Sequence, residues 1–146
     1  MYNYEKFVDF VSGLLRMSPP DTVFISSEMM IDRFGSDELS AYDNNENTLY
    51  LCQKDDYEMM DYYNLAYSLR MIWQDIVGFE YASDEYLSGS SVPIEEIDAR
   101  AFSFVAIVIR FSKDARQTYN TDPIAQIMLD KRIEELCEEF DIEVID

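Results

Sequence analysis

Tyr67-Ser68-Leu69-Arg70-Met71-Ile72-Trp73-Gln74 lies within the longest helical pattern of the chain, around which the other elements are expected to pack. Between Tyr57 and Val77, Leu65, Leu69, Ile72 and Ile76 recur at spacings of three and four, which sets them on one stripe of an α-helix. Tyr63, Tyr67, Met71 and Gln74 gather on nearly the opposite side, with Ala66, Trp73 and Val77 filling between them. A helix apolar almost all round in its C-terminal half is expected to lie inside a domain. Asp55, Asp56, Glu58 and Asp61 crowd its start, where free backbone amides favour negative charge, and Gly78 supplies a stop.

Upstream of this helix, Phe7, Val8, Phe10, Val11, Leu14 and Leu15 predict an amphipathic helix over 4–15, which Pro19-Pro20 cannot continue. Thr22-Val23-Phe24-Ile25 reads as a strand. Ser26 or Ser27 caps a short helix through Met29, Met30, Ile31 and Phe34, ended by Gly35. Asp43-Asn44-Asn45-Glu46-Asn47 is a polar turn between Ala41-Tyr42 and Thr48–Cys52, so a β-hairpin is expected there. Asp43, Asn45 and Asn47 alternate like the opening of a calcium loop, but the Gly and Glu that such a loop needs at its sixth and twelfth positions are missing.

Downstream, 79–92 reads as a loop, and Ser91 and Pro93 open a second helix. Ala99, Phe102, Val105, Ala106 and Ile109 carry that helix to about Phe111 at core spacing, against a rival strand over 104–109. Asp122-Pro123 starts a last helix with Ile124, Ile127, Met128, Ile133, Leu136, Cys137 and Phe140 as its apolar face. Residues 141–146 finish as a short strand or a tail. The expected fold class is α+β: a single domain over 1–146, mainly helical, with a small antiparallel sheet packed beside a buried central helix.

Composition narrows the function classes. A chain of 146 residues with 48% hydrophobic and 14% aromatic content can bury one sizeable core. The longest apolar stretch, Ala101 to Ile109, is interrupted by Ser103 and is too short to span a bilayer, so no membrane association is expected. Met1-Tyr2-Asn3-Tyr4-Glu5-Lys6 lacks the basic region and apolar run of a secretion signal, which predicts a cytoplasmic location. Cys52 and Cys137 then read as buried free thiols rather than a disulfide. The formal net charge of −19, from 30 acidic and 11 basic residues, works against direct binding to nucleic acid or anionic membrane. A protein partner stays open. So does an acidic decoy that occupies a nucleic-acid-binding protein by matching its charge.

The central stretch resembles the active-site helix of the HExxH metallopeptidases, the zincins, most closely relatives reading H-E-L-R-H followed by an apolar residue, Trp and Gln. Tyr67 stands at the position of the first zinc histidine, Ser68 at that of the catalytic glutamate, and Met71 at that of the second histidine. Glu96-Ile97-Asp98-Ala99-Arg100-Ala101-Phe102 is similar to the family's second helix, whose E-x-x-A-x-x-F pattern supplies the third metal ligand, here Glu96. The resemblance is strongest over 20–112. It implies a zincin frame of bacterial or mobile-element type, with Arg70 and Asp98 at matching but non-catalytic positions.

The chemistry of that family is absent. It needs two histidines four apart on one helix face and a glutamate to take a proton from metal-bound water. The chain holds no histidine at all. A phenol is a poor ligand at neutral pH, and a thioether prefers soft metals. Tyr67 and Met71 therefore read as volume fillers. Ser68 cannot serve as the base, and without a histidine it is no nucleophile. Glu96 is either an ordinary helix-start acid or the acceptor of a Tyr67 hydroxyl bond that replaces the metal link. Arg70 is expected to form a surface or inter-helix ion pair, Trp73 to pack, and Gln74 to hold a neighbouring loop.

Other enzyme classes find no better footing. The glycines at 13, 35, 78 and 89 make no phosphate loop, and nothing selects a pair from the acids for glycosidic chemistry or a carboxylate-bound metal. Tyr57, Tyr62, Tyr63, Tyr81 and Tyr86 are either a recognition surface or ordinary core and boundary residues. The expectation is a non-catalytic pseudo-metallopeptidase domain with a binding or regulatory role, no metal and no cofactor. The alternatives are the acidic inhibitor and a carboxylate-metal enzyme.

Overall fold

The apolar periodicities form helices in the computed structural model, which describes residues 4–35, 40–79, 92–115, 118–119 and 121–142. Along the chain come α1 (Tyr4–Leu15), β1 (Asp21–Ile25), α2 (Ser27–Phe34), β2 (Ser40–Asp43), β3 (Thr48–Cys52), α3 (Met59–Val77), α4 (Ile94–Phe111) and α5 (Pro123–Glu139). The fold is mixed α+β and mainly helical. The segment 104–109 is helix, as expected from the pattern beginning upstream of it.

Local chemistry sets these boundaries. Ser26 caps α2 by accepting from the Met29 amide, and Gly35 ends it with φ of 81°. Asp61 accepts from the Glu58 amide at 2.7 Å across the first turn of α3. Asp122 accepts from the Ala125 amide ahead of Pro123. In the β2–β3 turn, Asp43 Oδ1 accepts from the amides of Asn45 and Glu46, which uses that carboxylate for the turn itself.

The sheet corrects one expectation. It has order β1-β3-β2 and is mixed, not antiparallel. β2 and β3 form the expected antiparallel hairpin, from Ser40 opposite Leu51 to Asp43 opposite Thr48. β1 instead runs parallel to β3, from Asp21 beside Thr48 to Ile25 beside Cys52. The physical reason is the connection: the chain passes through α2 and β2 before returning, a crossover long enough for parallel pairing. β3 is central and buried along its length. Its alternation serves two faces: Leu49 and Leu51 join the main core with α1, α3, α4 and α5, while Tyr50 and Cys52 meet Met30 of α2.

α3 packs against α1 and α4, and α4 against α5. α3 and α4 run antiparallel: the Tyr63 hydroxyl reaches the Arg100 carbonyl, Arg70 meets Asp98, and the Gln74 amide reaches the Glu95 carbonyl. The apolar stripe of α3 is buried through Leu65, Leu69 and Ile72 but not beyond; Ile76 is 62% exposed and Val77 51%. α4 begins opposite Gln74, so the last turn of α3 extends past its neighbour. The expectation of burial all round that half is therefore corrected. Ile124 and Ile127, expected on the buried face of α5, are likewise exposed, because the packed side of that helix centres on Met128, Leu129, Ile133 and Leu136. Cys52 and Cys137 are buried free thiols. The loop expected over 79–92 lies, apart from Phe79 and Val92, outside the described residues, as do Tyr81, Tyr86, Ser91 and the end of the chain from 143.

Two glycines give opposite predictions. Gly78 ends α3 in the left-handed region with φ of 65°, and nothing lies within 4 Å of where a Cβ would stand. Gly78→Ala is expected to cost about 1 kcal/mol through backbone strain alone. Gly13, inside α1 with equally open space, has ordinary helical geometry. Gly13→Ala is expected to stabilise by about 0.5–1 kcal/mol. Urea unfolding of both variants checks the signs.

Candidate functional site

The α3–α4 seam holds a buried polar network. Asp98, with no exposed surface, accepts from Arg70 Nε at 2.8 Å and Nη2 at 3.0 Å, a bidentate grip. Gln74 Nε2 donates to Asp98 at 2.8 Å, and Arg132 of α5 donates through Nε at 2.8 Å. Trp73 lies 3.8 Å beneath the Arg70 guanidinium, and the Phe102 ring 4.9 Å from it. Burial alone would raise the Asp98 pKa; the hydrogen bonds and charge of Arg70, then Arg132 and Gln74, outweigh it and hold the carboxyl below its ordinary value. Arg70 is thus the inter-helix ion-pair partner of the two expected alternatives. Gln74 holds α4 rather than a loop. One carboxylate fastens three helices.

On the neighbouring face of α3, Tyr67, Ser68 and Met71 line one cleft of about 280 Å³, closed on its far side by Ser40, Ala41 and Tyr42 of β2. The helical repeat brings positions 67, 68 and 71 to the same opening, and β2 lies over them because Ser40 and Tyr42 share the sheet face of Leu49 and Leu51. Ser68 Oγ lies 2.9 Å from Ser40 Oγ, so this hydroxyl ties the helix to the strand. Met71 is half-buried in the cleft wall. Tyr67 has no hydrogen-bond partner among the described residues. Burial raises its pKa, the Glu96 charge raises it further and Arg100 lowers it, leaving a neutral phenol at neutral pH.

Glu96 sits in the first turn of α4 with both oxygens engaged. Tyr119 donates to Oε2 at 3.1 Å, and Arg100 Nη2 approaches Oε1 at 3.6 Å while its guanidinium lies 4.9 Å from the Tyr119 ring. The hydroxyl bond that one of the two alternatives for Glu96 assigned to Tyr67 is therefore made by Tyr119. The reason is reach: Tyr119 arrives from the segment before α5, its amide fixed by the Gln126 side chain at 2.6 Å, and closes over the carboxylate from outside. Tyr67 remains close enough to feel the Glu96 charge, so the two positions share a neighbourhood without a bond.

Comparison with family models, with curated proteins and with solved structures finds no match. The site therefore rests on its own geometry. Among the described residues, no group of three His, Cys, Asp or Glu side chains converges to hold a metal ion, and no helix is long and apolar enough to cross a membrane. Sequence reasoning did not find Arg132, Tyr119 or Ser40. Arg132 and Tyr119 act across 34 and 23 residues of separation, and no local spacing marks such partners. For Ser40 the hairpin register was the available signal, since it sets alternate β2 residues on the face toward α3.

Proposed function

We propose that the chain is a zincin-like domain without catalysis, acting by binding, whose cleft between α3 and β2 takes an extended polypeptide segment. One observation carries the reading: Tyr67, Ser68 and Met71 open together onto a cleft whose opposite wall is an edge strand. None of the three can perform the step that its position implies. Tyr67 is a neutral phenol, Met71 is a thioether, and Ser68 is occupied with Ser40. β2 pairs only with β3 among the described residues, so its other side presents backbone donors and acceptors to an added strand.

The test has two arms on the purified chain. Zinc equilibration followed by dialysis is expected to leave far less than one metal per chain, with no cleavage of a mixed peptide pool. Selection from a displayed library of extended peptides is expected to return binders that are lost with Met71→Arg, which fills the cleft with a guanidinium. Stoichiometric zinc together with hydrolysis contradicts the proposal. So does a set of binders indifferent to Met71→Arg; capture of that kind, following overall charge, belongs to the acidic decoy.

A further inference from the structure

The charge distribution around the cleft restricts what can occupy it. We propose that its occupant is a cationic extended segment, a stretch of a partner protein carrying lysine or arginine at alternate positions; this rests on the binding role argued above. Asp75 lines the mouth of the cleft, exposed, with no ion-pair or hydrogen-bond partner among the described residues. Tyr67 lines the same cleft as a neutral phenol, with no charge of its own to repel a cation. Among the described residues, no lysine or arginine lines the cleft. Several of the chain's few cations are already committed to its own acids: Arg33 to Asp43 and Glu46, Lys54 to Asp61, Arg100 to Glu96, and Arg70 and Arg132 to Asp98.

The same charge discriminates among occupants. A second copy brings another −19 to the edge of β2, and like-charge repulsion opposes that approach. An acidic segment meets Asp75 and the field of the whole chain. A basic segment is drawn in by that field, satisfies the backbone groups of β2, and places one side chain over Asp75. Side chains of an extended strand alternate between faces, so only every second residue points at α3, and cations at that interval meet the acid while the others face away.

The experiment is fluorescence anisotropy with three labelled β-prone probes of equal length at low and moderate salt. One carries lysines at alternate positions, one carries glutamates there, and one is the lysine peptide N-methylated at alternate backbone amides. The lysine probe is expected to bind at least about tenfold tighter than the glutamate probe and to weaken with salt. N-methylation is expected to abolish binding. Asp75→Lys is expected to weaken the lysine probe about tenfold, and Asp75→Asn about two- to fivefold. Equal binding of the lysine and glutamate probes, both lost on N-methylation, overturns the charge inference and leaves the cleft reading standing. Lysine-probe binding indifferent to N-methylation and to Asp75→Lys overturns the inference by assigning capture to the diffuse acidic surface. Absence of binding by every probe overturns both.

Discussion

Asp98→Ala is expected to be the most damaging single substitution in the domain, lowering stability by about 3–5 kcal/mol in equilibrium urea unfolding. The carboxylate is fully buried and answers two guanidinium groups and an amide. Its removal leaves the Arg70 charge, itself 2% exposed, without a counter-charge in the core. Truncating one partner of a buried pair costs far more than the pair contributes, because the survivor keeps its desolvation penalty. The loss is a large part of the roughly 5–15 kcal/mol that holds a domain folded. Acid separates charge from shape. The Asp98 carboxyl titrates below its ordinary value in the folded state, so its contribution is fully present above the unfolded pKa of about 3.9. It is lost as pH falls through the folded value. The stability difference between the native chain and Asp98→Asn is therefore expected to narrow toward acid; a difference constant with pH contradicts the assignment.

Phe102→Ala is expected to cost about 3–5 kcal/mol, with Phe102→Leu costing clearly less. Phe102 has no exposed surface, lies on α4 in the main core, and meets Phe140 edge-on at 6.1 Å. It also supports the Arg70 guanidinium from one side. Alanine leaves a cavity beside a buried charge, so lost packing and lost cation–π attraction act together. Urea unfolding checks both variants. A cost below about 1 kcal/mol for alanine means that the seam collapses around the gap, against the packing described.

The sequence was most legible where single residues punctuate the backbone. Gly35 and Gly78 end helices because the left-handed conformation needs them, and Asp122-Pro123 opens one because an acceptor and a fixed φ are both required. It was less legible where a neighbour decides. Ile76 and Ile127 have the right period for a core face, yet periodicity names a face and not what covers it. Strand alternation likewise carries no direction, so the parallel pairing of β1 with β3 could not be read from Thr22–Ile25. At the site, the shared opening of positions 67, 68 and 71 follows from helix geometry alone. The capture of Glu96 by Tyr119 does not, since it depends on how the chain returns before α5.

On the proposed reading, α3 and α4 keep the frame of a metal site whose ligands have been replaced. The most direct measurement restores them. A variant carrying Tyr67→His, Ser68→Glu and Met71→His, with Glu96 left in place, is titrated with zinc against a competing chelator. Ligation is then read by X-ray absorption. The expected result is one zinc per chain, bound through two imidazoles, and weaker binding when Glu96→Gln is added, because position 96 then lacks the carboxylate ligand. A triple variant that folds as the parent does and holds no more zinc than the parent contradicts it.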